Sequence, residues 1–540
     1  MLRTFGMATL RGGSSLCVLA AFGLAAGTIQ AANAAVTISA DATKNMDCSG
    51  GVCVPTAAKA VLNAGDLETM LASGNTTVTT TGSGAEAHDI VVSAPLAWTA
   101  STTLSLDAKH YLAIDKGVSV AGTGGLALTD NGAPDSLTFG TGGSVTFANL
   151  SSALTINGPA YMLVDTIATL ASAIRSNPGG DFAFAQSYDA RKDKTYSAPP
   201  IATAFTGTFE GLGNTISRLK INDAADSEVG FFAFVDGGSI HDIGLANAKV
   251  TSGASSVDLG VLVGYFYGGS SGPGGTITGS WSTGSITDTA TTYAQVGGLV
   301  GSACNSGAGY PADEINGSHS SVSISGGEYN FAGGLVGYSC GTGIIENSYA
   351  TGKVTAGDGS YAGGLAGAST AYVENSFATG PATTGNAAQG SPPPSAGGLV
   401  GYNYGVGTSP GTIMNSYSTG AATGGTGTNV GGMVGYSFDG TISDSYSTGA
   451  PSAGSGSYVG GFIGDDGSAA LSDTYWDTDT SGISNLGQGA GNISNVAGIT
   501  GLTTAEFQSG LPAGFAKNIW KEKSKIDNGL PYLIANPPPK

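Results

Sequence analysis

The chain has 540 residues, of which 41% are hydrophobic and only 11% are charged, and it contains 91 glycines. It carries 38 Asp and Glu against 19 Lys and Arg, a formal net charge of −19. This negative field argues against nucleic acid as a partner. Low charge with much glycine is typical of disordered chains, but here the apolar residues recur in register, which favours an ordered structure.

Residues 1–34 have the features of a secretory signal peptide. Arg3 and Arg11 precede an apolar run at 17–26, and residues 32–34 read Ala-Asn-Ala, a signal-peptidase cleavage pattern. The apolar run is too short to span a membrane. We therefore expect residues 1–34 to be removed on export, leaving a mature chain that does not itself span a membrane.

Residues 35–200 are predicted to form a β-rich N-terminal region. Short alternating stretches such as 90–92 and 104–106 are separated by glycine and asparagine turns. No helix longer than a few turns is expected here, except around residues 164–176. The pair Pro199-Pro200 marks the expected boundary with the next region.

Residues 201–482 contain an internal repeat that decides the predicted fold. A Gly-Gly-apolar-apolar-Gly block occurs six times, starting at Gly297, Gly333, Gly363, Gly397, Gly431 and Gly460. A second block of the type Asn-Ser-Tyr-x-Thr-Gly follows, and the longest gap between the two blocks contains a proline-rich insertion at 391–395. The distance from the second block to the next Gly-Gly block is constant except where this loop is inserted. Such a pattern indicates a right-handed parallel β-helix, or β-solenoid, with repeats of about 30 residues.

The second block alternates with a period of two, as a strand does. On this reading Ile345, Asn347 and Tyr349 share an inward face, and the intervening residues point outward. Stacked coils then give an asparagine ladder and an aromatic ladder. The ladder residues are Asn347, Asn375, Asn415 and Asp444, with Tyr349, Phe377, Tyr417 and Tyr446. The glycines flanking the strands are expected at corners with positive φ.

Four cysteines remain after the signal peptide, which suits disulfides in an exported chain. Cys304 and Cys340 occupy the same position in successive repeats. With one repeat per coil their Cα atoms would lie about 4.8 Å apart, close enough to bond. We expect this pair, and we expect Cys48 and Cys53 to clip a tight loop.

The two blocks resemble the GLUG-motif repeats of bacterial surface proteins over roughly residues 205–480. Residues 88–130 are similar to passenger repeats of filamentous-haemagglutinin-like exoproteins. The resemblance implies a secreted or cell-surface adhesin. The Asn-Pro-Asn signatures of a two-partner-secretion domain are missing, so the export route stays open, with an outer-membrane translocator as one candidate partner. Residues 483–540 are expected to cap the last coil.

Candidate catalytic carboxylates are few, and each has a structural explanation. Asp473 continues the asparagine ladder, and Asp465 and Asp466 follow a glycine corner as turn residues do. Asp477 and Asp479 start a pattern that resembles a calcium loop, but Gln488 stands where a bidentate Glu is needed. We therefore predict neither catalytic residues nor a bound metal or other cofactor.

The four histidines form no metal-binding pattern in the sequence. His319 takes an aromatic-ladder position, and His88, His110 and His241 are isolated from one another. The leading hypothesis is a non-enzymatic adhesin that binds a glycan or a surface protein. The alternatives are a β-helical polysaccharide lyase or hydrolase, and a structural spacer or biofilm-matrix component.

Overall fold

The computed structural model describes residues 35–81, 87–130, 136–269, 274–289, 293–305, 312–405 and 411–539. The predicted signal peptide lies outside these ranges. Within them the chain winds into stacked coils whose strands pair in parallel with the coils above and below. The protein is therefore a β-solenoid of the parallel β-helix type, as the repeat predicts.

Three sheets form the N-terminal coils. In pairing order, the first contains Leu137–Phe139, Leu112–Ile114, Asp89–Val92, Ala35–Ser39 and Ala60–Asn63. The second contains Val145–Phe147, Val118–Val120 and Leu96–Trp98. The third contains Leu154–Ile156, Gly125–Asp130, Thr103–Ala108, Thr76–Thr79, Val52–Pro55 and Met46–Ser49. The last two strands pair antiparallel as a hairpin, and a Cys48–Cys53 disulfide joins them.

Three further sheets, which we call the first, second and third faces, build the repeat coils. The first face has 25 strands. They are Met162–Val164, Asp181–Phe184, Tyr188–Asp189, Thr208–Glu210, Thr215–Ser217, Lys220–Asp223, Ser239–His241, Gly244–Ser252, Thr276–Thr278, Trp281–Asp288, Glu314–Asn316, His319–Ser325, Ile344–Glu346, Tyr349–Ala350, Val354–Thr355, Tyr372–Glu374, Phe377–Ala378, Ala382–Thr383, Thr412–Met414, Tyr417–Ser418, Ala422–Gly424, Thr441–Ser447, Pro451–Ala453, Ala470–Asp477 and Ile499–Leu502.

The second and third faces have eight strands each. The second face contains Glu228–Val229, Asp258–Gly260, Gln295–Gly297, Phe331–Gly333, Tyr361–Gly363, Ser395–Gly397, Asn429–Gly431 and Tyr458–Gly460. The third face contains Phe232–Asp236, Val263–Tyr267, Val300–Cys304, Val336–Cys340, Ala366–Ser369, Val400–Tyr404, Val434–Phe438 and Ile463–Gly467.

Each sequence repeat is one coil. The first glycines of successive Gly-Gly blocks are direct strand partners, from Gly297 with Gly333 through to Gly431 with Gly460. Cys304 pairs in register with Cys340, and a disulfide joins them with a Cα–Cα distance of 4.6 Å. The proline-rich insertion lies between the strands Ala382–Thr383 and Ser395–Gly397, so the extra length adds a loop without changing the register.

The interior of the solenoid is apolar and contains two main buried clusters. One buried cluster extends from Val36 to Leu212, and a second from Val164 to Trp476. In the repeat coils an aliphatic row runs up the inside and is at most 1% exposed: Ile277, Ile315, Ile345, Val373, Ile413 and Ile442. A single coil could not bury this aliphatic row, so the stability of the folded chain depends on the stacking of neighbouring coils.

Helices are few and short in the described parts of the chain. The α-helices are Ala64–Leu71, Ile167–Ser176 and Thr504–Phe507, and the 3₁₀ turns are Ala190–Lys192 and Asp527–Gly529. Ile167–Ser176 falls where the sequence predicts a helix. The Thr166 hydroxyl accepts a hydrogen bond from the Thr169 backbone amide, which caps the helix start. A final antiparallel pair joins Trp520–Lys521 to Tyr532–Leu533.

Candidate functional site

A backbone corner interrupts the strand that the sequence predicts through the Asn-Ser-Tyr block. Asn347, Asn375, Asn415 and Asp444 have φ values of 48°, 48°, 47° and 47°. Gly317 and Gly279 occupy the same position one and two coils before Asn347, also with positive φ. Asparagine, aspartate and glycine are the residues that tolerate this left-handed conformation. The asparagine ladder is therefore a row of corners.

The corner reverses the predicted orientation of the following residues. Ile345 is buried in the solenoid core, but after Asn347 it is Ser348 and Ala350 that point inward, and Tyr349 points outward. The prediction that Ile345, Asn347 and Tyr349 share an inward face is wrong, because period-two alternation does not continue through a left-handed residue. Inside the solenoid, a row of serines forms hydrogen bonds between neighbouring coils. The Ser348 amide donates to the Ser376 hydroxyl at 3.1 Å, and the Ser416 amide donates to the Ser445 hydroxyl at 3.1 Å.

The aromatic ladder lies on the outside of the solenoid. Successive rings from Tyr349 through Phe377 and Tyr417 to Tyr446 stack nearly parallel, with centroids 4.9, 4.8 and 5.1 Å apart. The stack continues back through His319 to Trp281. We call this row the outer ladder. Its spacing is that of neighbouring strands, because the rings are strand partners.

The chain after residue 502 packs over the outer ladder. Phe377, Tyr417, Tyr446 and Tyr475 form one buried cluster with tail residues, which are Phe507, Phe515, Trp520, Leu530 and Leu533. Tyr349 is only partly covered. This segment therefore covers the side of the last coils.

The acidic residues considered above as catalytic or calcium-binding candidates have structural roles. Asp477 is 1% exposed, and its Oδ1 accepts hydrogen bonds from the Asp479 and Thr480 amides. Its Oδ2 accepts from the Thr504 hydroxyl at 2.6 Å, and Asp479 accepts from the Thr504 amide. These bonds fix the start of the helix Thr504–Phe507. Asp473 takes a ladder corner with φ of 49°.

Asp465 and Asp466 point in different directions. Asp465 pairs in register with the outward-facing Tyr436 and accepts a hydrogen bond from the Asn492 side chain at 2.6 Å. Burial, and then the neighbouring Asp466, raise the pKa of Asp465. Asp466 is 8% exposed and accepts from the Ala469 amide at 2.8 Å. Within the described ranges, no group of three His, Cys, Asp or Glu side chains is arranged to hold a metal ion.

Two histidines that are separate in the sequence meet in the fold. The rings of His88 and His110 lie 4.7 Å apart on neighbouring coils. His241 contacts the Thr278 hydroxyl, and burial lowers the pKa of His241 to about 4. His319 is stacked in the outer ladder, where burial also lowers its pKa to about 4. Neutral rings therefore occupy both positions at neutral pH.

A second row of aromatic rings crosses the second and third faces, and the sequence analysis missed it. The ring of Phe331 stacks on Tyr338 and on Tyr361, at 5.4 Å each. Tyr361 stacks on Tyr402 at 5.2 Å, and Tyr402 on Tyr436 at 5.0 Å. We call these five rings the aromatic stripe. All five are partly exposed, so the stripe is a continuous π surface open to solvent.

Glycines bring the two faces together beneath the stripe. A Cβ on Gly333 would collide with the Val336 carbonyl oxygen, and a Cβ on Gly337 would lie 2.5 Å from the Val296 amide nitrogen. These block glycines are not among the residues with positive φ, whereas glycines that flank strands elsewhere, such as Gly341 and Gly411, have positive φ as expected. Glycine is needed here because two backbones approach closely. The usable signal was the tyrosine that follows the block, as in Tyr338, Tyr402 and Tyr436.

The stripe leads into a depression of about 500 Å³. Its lining residues are Ser256, Asp258, Tyr265, Tyr267, Tyr293, Gln295, Ser302, Cys304, Asn305, Tyr338 and Cys340. The Cys304–Cys340 disulfide thus forms part of its wall. Burial, and then the charge of Glu228, raise the pKa of Asp258 to about 7, while its hydrogen bond with Ser302 opposes the shift. The site combines aromatic walls with a carboxyl group and amides.

Comparisons with known proteins agree with the repeat. A family model described as the GLUG motif matches residues 332–355, a segment that runs from the second face through the third face and the ladder corner at Asn347 to the strand Val354–Thr355. Halomucin of Haloquadratum walsbyi is 35% identical over 99 residues, which is 18% of this chain and 1% of halomucin. The similarity of residues 88–130 to filamentous haemagglutinins stays a prediction.

Two solved structures are similar at low TM-scores. An IgA1 protease aligns with 20% identity over 51% of this chain and 21% of its own, with a TM-score of 0.35. An immunoglobulin A1 protease candidate from Bacteroides ovatus aligns with 17% identity over 70% of this chain and 93% of its own, with a TM-score of 0.30. Among the described residues, no helix is long and apolar enough to cross a membrane.

Proposed function

We propose that this protein is an extracellular, non-enzymatic adhesin-like protein that holds glycans along the aromatic stripe. The observation that carries the proposal is the continuous run of five partly exposed rings from Phe331 to Tyr436. Aromatic ring faces carry partial negative charge and attract the polarised C–H groups of sugar rings. An extended row of such faces suits a chain-like ligand better than a small molecule.

The two disulfides support an extracellular location. Both disulfides are of the kind that persist in oxidising compartments. The GLUG-motif match and the local similarity to halomucin support placement at a cell surface. Export through a cleaved signal peptide, with an outer-membrane translocator as partner, belongs to the same proposal.

The test is a glycan array and polysaccharide-capture assay on the full chain, with a depolymerisation assay on the same samples. A Tyr402→Ser/Tyr436→Ser variant removes two stripe rings. We expect it to lower capture about tenfold or more, which corresponds to a loss of about 1.4 kcal/mol. The matched control is Tyr372→Ser, which removes an exposed ring from the first face and should leave capture unchanged.

The result distinguishes an adhesin that binds through the stripe, binding at another surface, and an enzyme. Capture that depends on Tyr402 and Tyr436 without release of fragments supports the adhesin. Equal losses in Tyr372→Ser would contradict the stripe as the binding surface. Depolymerisation by the wild-type chain would overturn the non-enzymatic assignment.

A further inference from the structure

We propose that the carboxyl groups of Asp223 and Asp226 bind a calcium ion at the corner between the first and second faces. Asp223 ends the strand Lys220–Asp223 of the first face, and the strand Glu228–Val229 of the second face follows it in the chain. Asp226 lies in the segment between these two strands. The inference goes beyond the proposed function and does not depend on it.

The buried carboxyl of Asp223 uses only one of its oxygens within the chain. Asp223 is 1% exposed. Its Oδ1 accepts hydrogen bonds from the backbone amides of Ala225 and Asp226, at 2.9 and 3.1 Å. Its Oδ2 is also buried, but none of the described residues donates a hydrogen bond to it. Leaving a buried carboxylate oxygen without a donor or a cation costs free energy, so this oxygen is suited to a partner from solution.

Asp477 shows how the fold satisfies the same kind of turn elsewhere. Asp477 is also 1% exposed, and its Oδ1 also accepts from the amides two and three residues later, at 2.8 and 3.2 Å. Its Oδ2, however, accepts a hydrogen bond from the Thr504 hydroxyl at 2.6 Å. Within the described ranges no hydroxyl takes this part at Asp223. The two turns therefore differ in what reaches the second carboxylate oxygen.

A second carboxyl group lies against the first. The carboxyl of Asp226 is within hydrogen-bonding reach of the carboxyl of Asp223, and this contact, followed by burial and by the charges of Asp223 and Glu228, raises the pKa of Asp226. In the part of the chain that the structure describes, no Lys or Arg forms an ion pair with either carboxyl. Two adjacent carboxylates without a counter-charge repel each other, and a cation held between them removes the repulsion.

The ligands favour calcium over other ions. Carboxylate oxygens bind hard divalent cations, and Ca²⁺ tolerates irregular geometry and completes its coordination with carbonyl oxygens and waters. Asp226 is exposed, so water can reach an ion at this place. Glu228 and its strand partner Asp258 add negative charge nearby. No third acidic side chain of the described residues joins the pair, so we expect a dissociation constant of about 0.1–1 mM, as in extracellular calcium modules.

The test is a calorimetric titration of the full chain with calcium chloride after treatment with a chelator, and magnesium chloride is the comparison. Asp226→Asn removes one charge at an exposed position, and Asp223→Asn keeps an oxygen that can accept the two amide hydrogen bonds. Asp439→Asn is the matched control, because Asp439 is exposed and has a φ of 51° that asparagine tolerates. Thermal melting with and without calcium is recorded for every variant.

We expect calcium to bind the wild-type chain and Asp439→Asn equally and to raise the melting temperatures of both. Asp223→Asn and Asp226→Asn should weaken the binding about tenfold or more. Without calcium, Asp226→Asn should melt at a higher temperature than the wild type, because the repulsion between the two carboxylates is gone. Calcium should remove this advantage, because it stabilises the wild type and not the variant.

The inference is overturned if calcium neither binds nor raises the melting temperature of the wild type. It is also overturned if either Asp223→Asn or Asp226→Asn binds calcium as tightly as the wild type does. Magnesium binding of equal strength would contradict the choice of calcium. A lower melting temperature of Asp226→Asn in the absence of calcium would contradict the repulsion between the two carboxylates on which the site depends.

Discussion

The hydroxyl of Tyr446 donates a hydrogen bond of 2.6 Å to the carbonyl of Pro531, 85 residues later in the chain. This bond joins the outer ladder to the segment that covers it. The neighbouring ladder ring, Tyr417, is equally buried, but its hydroxyl finds no partner among the described residues. Two similar tyrosines therefore have different roles.

Replacing each of these tyrosines by phenylalanine should separate the two roles. Tyr446→Phe should lower the free energy of unfolding by about 1 kcal/mol, because the Pro531 carbonyl loses its donor. Tyr417→Phe should be neutral or stabilising, because it removes a buried hydroxyl without a partner. Urea unfolding of both variants measures the difference. Equal effects would contradict the arrangement of the tail on the ladder.

The ladder corners can be tested with two substitutions at Asn415. Alanine in the left-handed conformation costs about 1 kcal/mol or more, whereas glycine adopts it without strain. Asn415→Ala should therefore be less stable than Asn415→Gly. The order is unusual, since at most strand positions alanine is the better tolerated of the two. A more stable alanine variant would show that the residue at this corner is not left-handed.

The two disulfides should differ in their contribution to stability. Closing the loop from Cys304 to Cys340 restricts the unfolded chain more than closing the short loop from Cys48 to Cys53. The loop-entropy relation gives about 4 kcal/mol for the first and about 2 kcal/mol for the second. Cys304→Ala/Cys340→Ala should therefore lower the melting temperature more than Cys48→Ala/Cys53→Ala. Peptide mapping under non-reducing conditions checks the pairing, and a mixed pattern would contradict the one-repeat coil.

Stability should depend on pH through Asp313. Burial raises the pKa of this carboxyl from 3.8 to about 7, while the Asn305 hydrogen bond opposes the shift. Between these values the folded chain holds a proton that the unfolded chain releases, so the stability contributed by this group falls as pH rises from about 4 to about 7. Asp313→Asn imitates the neutral form and should gain stability relative to the wild type at pH about 8 compared with pH about 5. A difference that is the same at both pH values would contradict the raised pKa.

The sequence was sufficient to predict one repeat per coil, but not to predict which side chains point inward and which point outward. The recurrence of the Gly-Gly blocks at intervals of 29 to 36 residues, and the equivalent positions of Cys304 and Cys340 within their repeats, determined the stacking register, because each repeat must meet its copy above and below. The face of Tyr349 could not follow from alternation, since one left-handed residue reverses it. The exchange of asparagine, aspartate and glycine at that position, as in Gly317, Asn347 and Asp444, was the signal that would have indicated the corner.

The aromatic stripe and the contacts of the tail could not be predicted from the sequence pattern within one repeat. Stripe rings such as Tyr361 and Tyr402 come from different blocks and meet only because glycines bring two faces close together. The packing of Trp520 against Tyr417 and Tyr446 joins parts of the chain with no shared pattern. Contacts of this kind depend on the three-dimensional path, which local periodicity does not contain.

The tail also restricts how the array can evolve. The side chain of Asn536 donates hydrogen bonds to the carbonyls of Ser348 and Asn375, so the end of the described chain is tied to coils far below the last one. A recombination event that duplicated or deleted a coil between Tyr349 and Tyr475 would shift these attachment points by one step. Coils before Trp281 carry no such tie in the described chain, so copy-number variation among natural variants is expected on that side.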